Sequence, residues 1–234
     1  MILFKGEMIK LIKYKVLVIS VFVSLIWAFI LFFSSSQEVA SLMPLLLMVD
    51  ASMMTIIYLG ASFYLEKQEG SIKSLLVSPV SLKSIIISKI LSSVAMSLIS
   101  GLFLGLIAYF VHGVSVNFFL MIIYLVVIVF SHTAIGFVLF LNAKDFSQML
   151  GIYIFYALLT LTPSLLSIVG VIPESLDLLL IISPSYSSQI LIENVLQAQD
   201  LLLIILSFSY LIGIGVILYI AYIYKNLKKY LVKG

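Results

Sequence analysis

The sequence predicts an all-α integral membrane protein with six transmembrane helices, and three observations carry that reading. The 234 residues are 63% hydrophobic with a mean hydropathy of +1.29, more apolar surface than a soluble domain of this size can bury. The apolar residues gather into runs at about 16–33, 42–64, 84–111, 118–141, 149–169 and 201–224, each long enough to cross a hydrocarbon core. Finally, all thirteen basic residues are Lys, and in a six-span chain they fall on one side: Lys5, Lys10, Lys13 and Lys15, then Lys67, Lys73, Lys83 and Lys89, then Lys144, then Lys225, Lys228, Lys229 and Lys233. The other side holds only Glu38, Glu174, Asp177, Glu193 and Asp200. Lysine on one side places both termini in the cytoplasm.

Taken in order, residues 1–15 set Phe4, Met8, Leu11 and Ile12 against Lys5, Lys10 and Lys13 at helical spacing, the pattern of an interfacial helix or of a charged lead-in to span one. Residues 16–33 are longer than the apolar core of a signal peptide and lack a small-x-small cleavage pattern, so they read as a retained span. A polar loop is expected over 34–41. Span two carries Asp50. Span three places Ser93, Ser97, Gly101 and Gly105 at four-residue spacing, a ridge of small residues that lets another helix approach closely, favouring a neighbour in the same subunit over a dimer seam. Span five contains Pro163, expected to kink its far end. Residues 170–200 are too polar for one span and too apolar for a simple loop. Pro173, Pro184 and the serine-rich stretch 183–188 break the region into one or two short helices that dip into the membrane or lie on it.

The most informative stretch is 66–89. It concentrates six charged residues between two spans, in a chain that is only 10% charged. It must lie in water or at the membrane surface, because a Lys or Glu at mid-bilayer costs about 2.5–3.5 kcal/mol. Ile72, Leu75 and Leu76 form one stripe of a short helix. Gly70 precedes that helix and Pro79 stops it, and Ser81 is placed to cap the next. The run Glu66-Lys67-Gln68-Glu69-Gly70-Ser71, then Leu75-Leu76-Val77-Ser78-Pro79-Val80-Ser81, then Lys89 resembles the permeases of type-2 ATP-binding-cassette (ABC-2 type) exporters. Ser71 stands where Thr is commoner. In that family the segment is the cytoplasmic coupling helix that docks on the ATPase subunit, which here assigns coupling to Glu66, Glu69, Gly70, Ile72, Leu75, Leu76, Pro79 and Ser81.

The resemblance extends over essentially the whole chain. It implies one transmembrane domain, 1–234, with a coupling segment at 66–82 and an extracellular or re-entrant region at 170–200. It also implies two permease copies, identical or paralogous, with spans two and five facing a central path, above separate ATPase subunits that hold ATP and Mg. Chain length and the loop after span four look most like bacterial drug (fluoroquinolone-type) export permeases, with lantibiotic-immunity permeases close by. Asp50, the only acid deep in a span, is a candidate for the translocation path or a subunit contact; alternatively it reaches interfacial water. Tyr58, Tyr153 and Tyr156 are candidates for lining a cavity, against the plainer reading of packing or interface anchoring.

Other chemistry finds little support. No P-loop, His-Glu-x-x-His or Gly-x-Ser-x-Gly occurs, and Asp50 has no second intramembrane aspartate for a paired-carboxylate site. There is no Cys, so no thiolate metal site or Cys nucleophile. His132 is a lone intramembrane histidine, read as a hydrogen-bonded packing residue. The lysines sit at membrane boundaries and not in an Arg-rich groove, which argues against nucleic acid. The chain is therefore read as a non-enzymatic ABC-exporter permease in the bacterial cell membrane, its substrate a hydrophobic drug, a peptide or a lipid-like molecule. The alternatives are a non-transporting scaffold or sensor and a nucleotide-independent pore. Single Cys probes at Ser35, Ser115 and Ser187 are expected to label from outside intact cells and probes at Ser74 and Gly234 not to; external labelling at Ser74 would overturn the orientation.

Overall fold

In the computed structural model, which describes residues 2–70 and 80–233, every regular element is helical. The helices are α1 (Ile2–Lys13), α2 (Val16–Phe33), α3 (Ser36–Val49), α4 (Thr55–Gln68), α5 (Leu82–His112), α6 (Phe118–Asn142), α7 (Phe146–Ile168), α8 (Asp177–Leu180), α9 (Pro184–Leu196), α10 (Leu201–Leu218) and α11 (Tyr224–Lys233). A π-turn, Asp50–Met54, joins α3 to α4, a second, Tyr219–Ile223, joins α10 to α11, and a 3-10 turn, Glu174–Leu176, precedes α8. Six of the resulting helices are long and apolar enough to cross a membrane: Val16–Phe33, Ser36–Gln68, Leu82–His112, Phe118–Asn142, Phe146–Ile168 and Leu201–Leu227. The protein is an all-α chain of six candidate spans.

The polar residues between spans begin helices, because a side-chain oxygen can take up an otherwise unpaired first-turn amide. Asn117 accepts from Leu120 N at 3.1 Å, Asp145 from Gln148 N at 2.8 Å and Asp200 from Leu202 N at 2.7 Å. The polar loop expected at 34–41 is mostly absent for the same reason. Ser35 and Glu38 form a capping box, with Ser35 N donating to Glu38 Oε2 at 2.7 Å, so the second span starts at Ser36, before its apolar run. Pro44 and Pro163 both lie inside continuous helices, and the C-terminal tail is helical to Lys233.

The core sits around α3–α4 and α6, which the other helices surround. Leu47, Leu104, Leu125, Ile128, Leu191 and Leu211 pack together in its centre. Nearer the lysine-rich end Phe63 stacks on Phe140, centroids 4.4 Å apart, and meets Phe137 edge-on at 5.2 Å. Outward-facing apolar side chains such as Phe29, Phe110, Phe155 and Ile220 are exposed, as a hydrocarbon solvent permits. The short helix α9 is the exception to the outside-polar habit of soluble proteins. Its residues Ser185, Tyr186, Ser187, Ser188 and Gln189 are buried among α3, α6, α7 and α10. Ser183 Oγ donates to Thr160 O at 2.8 Å, Ser185 Oγ to Thr160 Oγ1 at 3.0 Å and Asn194 Nδ2 to Tyr124 OH at 2.9 Å.

The small-residue ridge of span three packs inside the subunit. A Cβ on Gly101 would lie 2.5 Å from Leu125 Cδ1 of α6, and one on Gly105 3.0 Å from Phe118 Cε1 and 3.3 Å from Met121 Cε. Gly101→Val is therefore expected to destabilise the purified protein by about 1–3 kcal/mol through overpacking. Gly213→Ala, where nothing lies within 4 Å, should be neutral or slightly stabilising. Thermal unfolding in detergent checks the pair; equal melting temperatures would show that the α5–α6 contact is not close-packed.

Candidate functional site

The site is built where three helix ends meet, on either side of the segment 70–80. Glu66 and Glu69 lie in the last turn of α4 and just beyond it, Lys89 on the second turn of α5, and Glu7, Lys10 and Lys13 on α1. Lys89 stands inside an apolar helix and is 2% exposed. A buried ammonium needs both opposite charge and hydrogen-bond acceptors, and the fold supplies them from two directions. Lys89 Nζ donates to Glu66 Oε1 at 2.7 Å and to Glu7 Oε2 at 3.0 Å, with Ser62 Oγ at 3.4 Å and the face of Phe63 4.3 Å away. Lys10 closes the square, its Nζ 3.3 Å from Glu7 Oε1 and 3.5 Å from Glu66 Oε1. Two cations and two carboxylates thus balance in a site where Glu66 and Lys89 are fully enclosed.

A second, exposed pairing extends this clamp toward the segment. Lys13 Nζ lies 2.9 Å from the Glu69 carboxylate, and Tyr14 OH donates to Glu69 Oε2 at 2.8 Å. Those two hydrogen bonds hold the Glu69 carboxyl below its ordinary range. Burial pushes the Glu7 carboxyl up, but the Lys89 and Lys10 ammonium groups outweigh it and the net shift is down. A depressed carboxylate contributes stability that is fully present above its unfolded pKa of about 4.3 and is lost as pH falls through the folded value. The clamp is therefore closed throughout the neutral range. Lys15, with φ 59°, makes the sharp turn that sends α1 back along the end of the bundle before α2 begins.

Of the coupling residues read from the sequence, Glu66, Glu69, Gly70 and Ser81 fall at this site. Gly70 takes φ 70° just after α4, and Ser81 Oγ accepts from Ser84 N at 3.2 Å to cap α5. Ile72, Leu75, Leu76 and Pro79 lie outside the described residues. Glu7 went unread in the sequence, yet it supplies half of the Lys89 neutralisation. The available signal was Lys89 itself, an ammonium beyond the first turn of an apolar helix, whose three donors need more acceptors than Glu66 alone supplies.

The path candidates divide between two places. Asp50, 4% exposed, opens the π-turn and faces Trp27 of α2 and Ser100 of α5, with Tyr58 near it. Asp50, Trp27, Tyr58 and Ser100 thus gather polar groups between spans one, two and three. π-turns commonly mark such functional irregularities. Tyr153 and Tyr156 belong to α7, which meets α4 at Gly60 against Met149, on the face of α4 away from Tyr58. Tyr156 lies beside Thr160 and Tyr210 there. His132 is fully buried on α6, with Nδ1 2.9 Å from Ile128 O and 3.2 Å from Ser131 Oγ.

The fold and the clamp together define a six-span membrane protein in which an N-terminal helix is pinned across the gap between spans two and three. Residues 1–187 match the ABC-2 type transporter family, and the chain belongs to that family; it is a membrane component of a transport system. A search among curated proteins finds no match.

Removing one partner of a buried ion pair strands the other, at a cost of about 3–5 kcal/mol. Lys89→Met and Glu66→Gln should each lower the melting temperature strongly. The double variant restores charge balance, with Glu7 and Lys10 still paired, and should be more stable than the sum of the single losses requires. Strict additivity in thermal unfolding would show that the two groups do not interact.

Proposed function

We propose that this chain is the permease subunit of an ABC exporter, coupled to separate ATPase subunits through Glu66–Lys89. Membership of the ABC-2 type transporter family is the observation that carries the reading, and the ionic clamp supports it. A segment that transmits force must be anchored at both ends. Here the first anchor is the Glu66 and Glu69 contact to α1, and the second is the Ser81 cap and the Lys89 contacts on α5. A push on residues 70–80 would thus move α1, α4 and α5 together. Two copies, identical or paralogous, form the pathway. ATP and Mg belong to the partner ATPase, and this chain performs no catalysis. Both termini face the cytoplasm of a bacterial cell, and the substrate is a hydrophobic molecule of the drug type, fluoroquinolone-like compounds among the candidates, or a peptide or lipid-like molecule.

An isolated helix of seven residues is too short to persist in water, so Ile72, Leu75 and Leu76 need a surface to lie on. If that surface is a groove on the ATPase, Leu75→Asp or Leu76→Asp buries an unpaired charge there, a loss of several kcal/mol. The variants are expected to insert normally but to lose the ATPase on co-purification, or to retain it with hydrolysis no longer stimulated by substrate. A fully coupled Leu75→Asp/Leu76→Asp complex would overturn the docking assignment.

A further inference from the structure

At the end of the bundle remote from the lysines, the last turn of α7, the α8 turn, α9 and the start of α10 border a cavity of about 790 Å³. That volume lies within the range of small-molecule sites. Asp177, Glu193 and Asp200 line it, with Tyr186 and Gln189 between them and Ile190 and Leu203 adding apolar wall. No Lys, Arg or His is among the residues that line it. Burial, and after it the charge of Asp177, pushes the Glu193 carboxyl above its ordinary value despite the hydrogen bond from Gln189.

The hydrogen-bond ledger of the cavity is one-sided. Tyr186 OH is spent on Asp177 Oδ1 at 2.7 Å and Gln189 Nε2 on Glu193 Oε1 at 2.7 Å. Gln189 is 3% exposed, and its Oε1 has no partner among the described residues. A buried amide oxygen left unpaired costs about 1–3 kcal/mol, and the carboxylates of Asp177 and Glu193 on the same wall are acceptors as well. What would satisfy this wall is a donor that carries positive charge, while the isoleucine and leucine wall suits an apolar body.

We propose that this cavity binds an amphipathic organic amine in its protonated form, the ammonium lying between Asp177 and Glu193 beside Gln189 and the apolar portion against Ile190 and Leu203. That the amine exchanges with the outside of the cell rests on the orientation proposed above; the binding itself does not.

Dansylcadaverine, a primary amine on an aromatic body, is a suitable probe, and its N-acetyl derivative is the neutral counterpart. Binding is read from dansyl fluorescence with purified protein in phosphatidylcholine nanodiscs, against empty nanodiscs. Saturable binding of the amine is expected, with the acetylated compound and the Asp177→Asn/Glu193→Gln variant each weaker by about tenfold or more, as loss of charge attraction in a partly solvated site requires. Asp200→Lys, a change at an exposed rim position, should also weaken binding and carries the test if the double variant does not fold. Equal affinity for the acetylated compound, unchanged affinity in the folded variants, or no saturable binding by the folded wild-type protein would each overturn the site. The assay contains neither ATPase nor nucleotide, so its failure leaves the permease reading standing, and failure of ATPase co-purification leaves this site standing.

Discussion

One buried ammonium constrains the lysine-rich end of this protein. Lys89 cannot lie in an apolar helix without neutralisation, and Glu66 alone leaves it short of acceptors. The second carboxylate has to come from outside the bundle, and α1 brings it. To present Glu7 to Lys89, α1 must lie across the ends of spans two and three, and Lys15 must turn the chain through a left-handed conformation to start span one. Lys10 then balances the acid that Glu7 adds. The apolar side of α1 follows the same placement: Leu11 packs with Val16, Tyr58 and Met96. Position, direction and packing of the N-terminal helix thus trace to a single desolvated charge.

The same constraint shapes what can move. A network of four charges in low dielectric is tightly closed or badly broken, with little in between, because each partial separation strands a buried charge. Helices α1, α4 and α5 are therefore held as one body at this end. Further along α4 the helix is less regular. The π-turn at Asp50–Met54 interrupts the regular helix before α4, with the polar groups of Trp27, Tyr58 and Ser100 around Asp50. The clamped end thus adjoins a less regular stretch of the same span.

Much of this architecture was legible in the sequence, and the exceptions have physical reasons. Span number follows from apolar length alone, which is why the six spans were recoverable. Helix starts follow from side-chain oxygens as well as hydropathy, so the second span begins at Ser36, before its apolar run. The four-residue ridge of span three indicated close packing, and a Cβ at Gly101 would lie 2.5 Å from Leu125 Cδ1, so that Leu125 would have to move. The clamp was half legible: Glu66, Glu69 and Lys89 stood out as charges near apolar runs, whereas Glu7 looked like one more polar residue of an interfacial helix. Its partner lies 82 residues away, and no local pattern encodes such a pairing.

The two ends of the molecule solve opposite electrostatic problems. At the lysine-rich end, cations and carboxylates are brought together until each buried charge is answered, and the result is rigidity. At the other end, Asp177, Glu193 and Asp200 line one cavity with no base on its wall, and Tyr186 OH and Gln189 Nε2 are taken up by two of those carboxylates. Helix α9 makes that imbalance possible. A polar helix buried among four others would ordinarily be costly, but Ser185 donates its hydroxyl to Thr160 Oγ1, Ser187 to Ile181 O and Ser188 to Pro184 O, and the N-cap Ser183 donates to Thr160 O, which removes them from service to the carboxylates. The donors that hold α9 in place are thus unavailable to the cavity beside it. Packing at this end leaves carboxylates facing a cavity beside the helix they help to fix, whereas at the lysine end the buried carboxylates of Glu7 and Glu66 meet Lys10 and Lys89 directly.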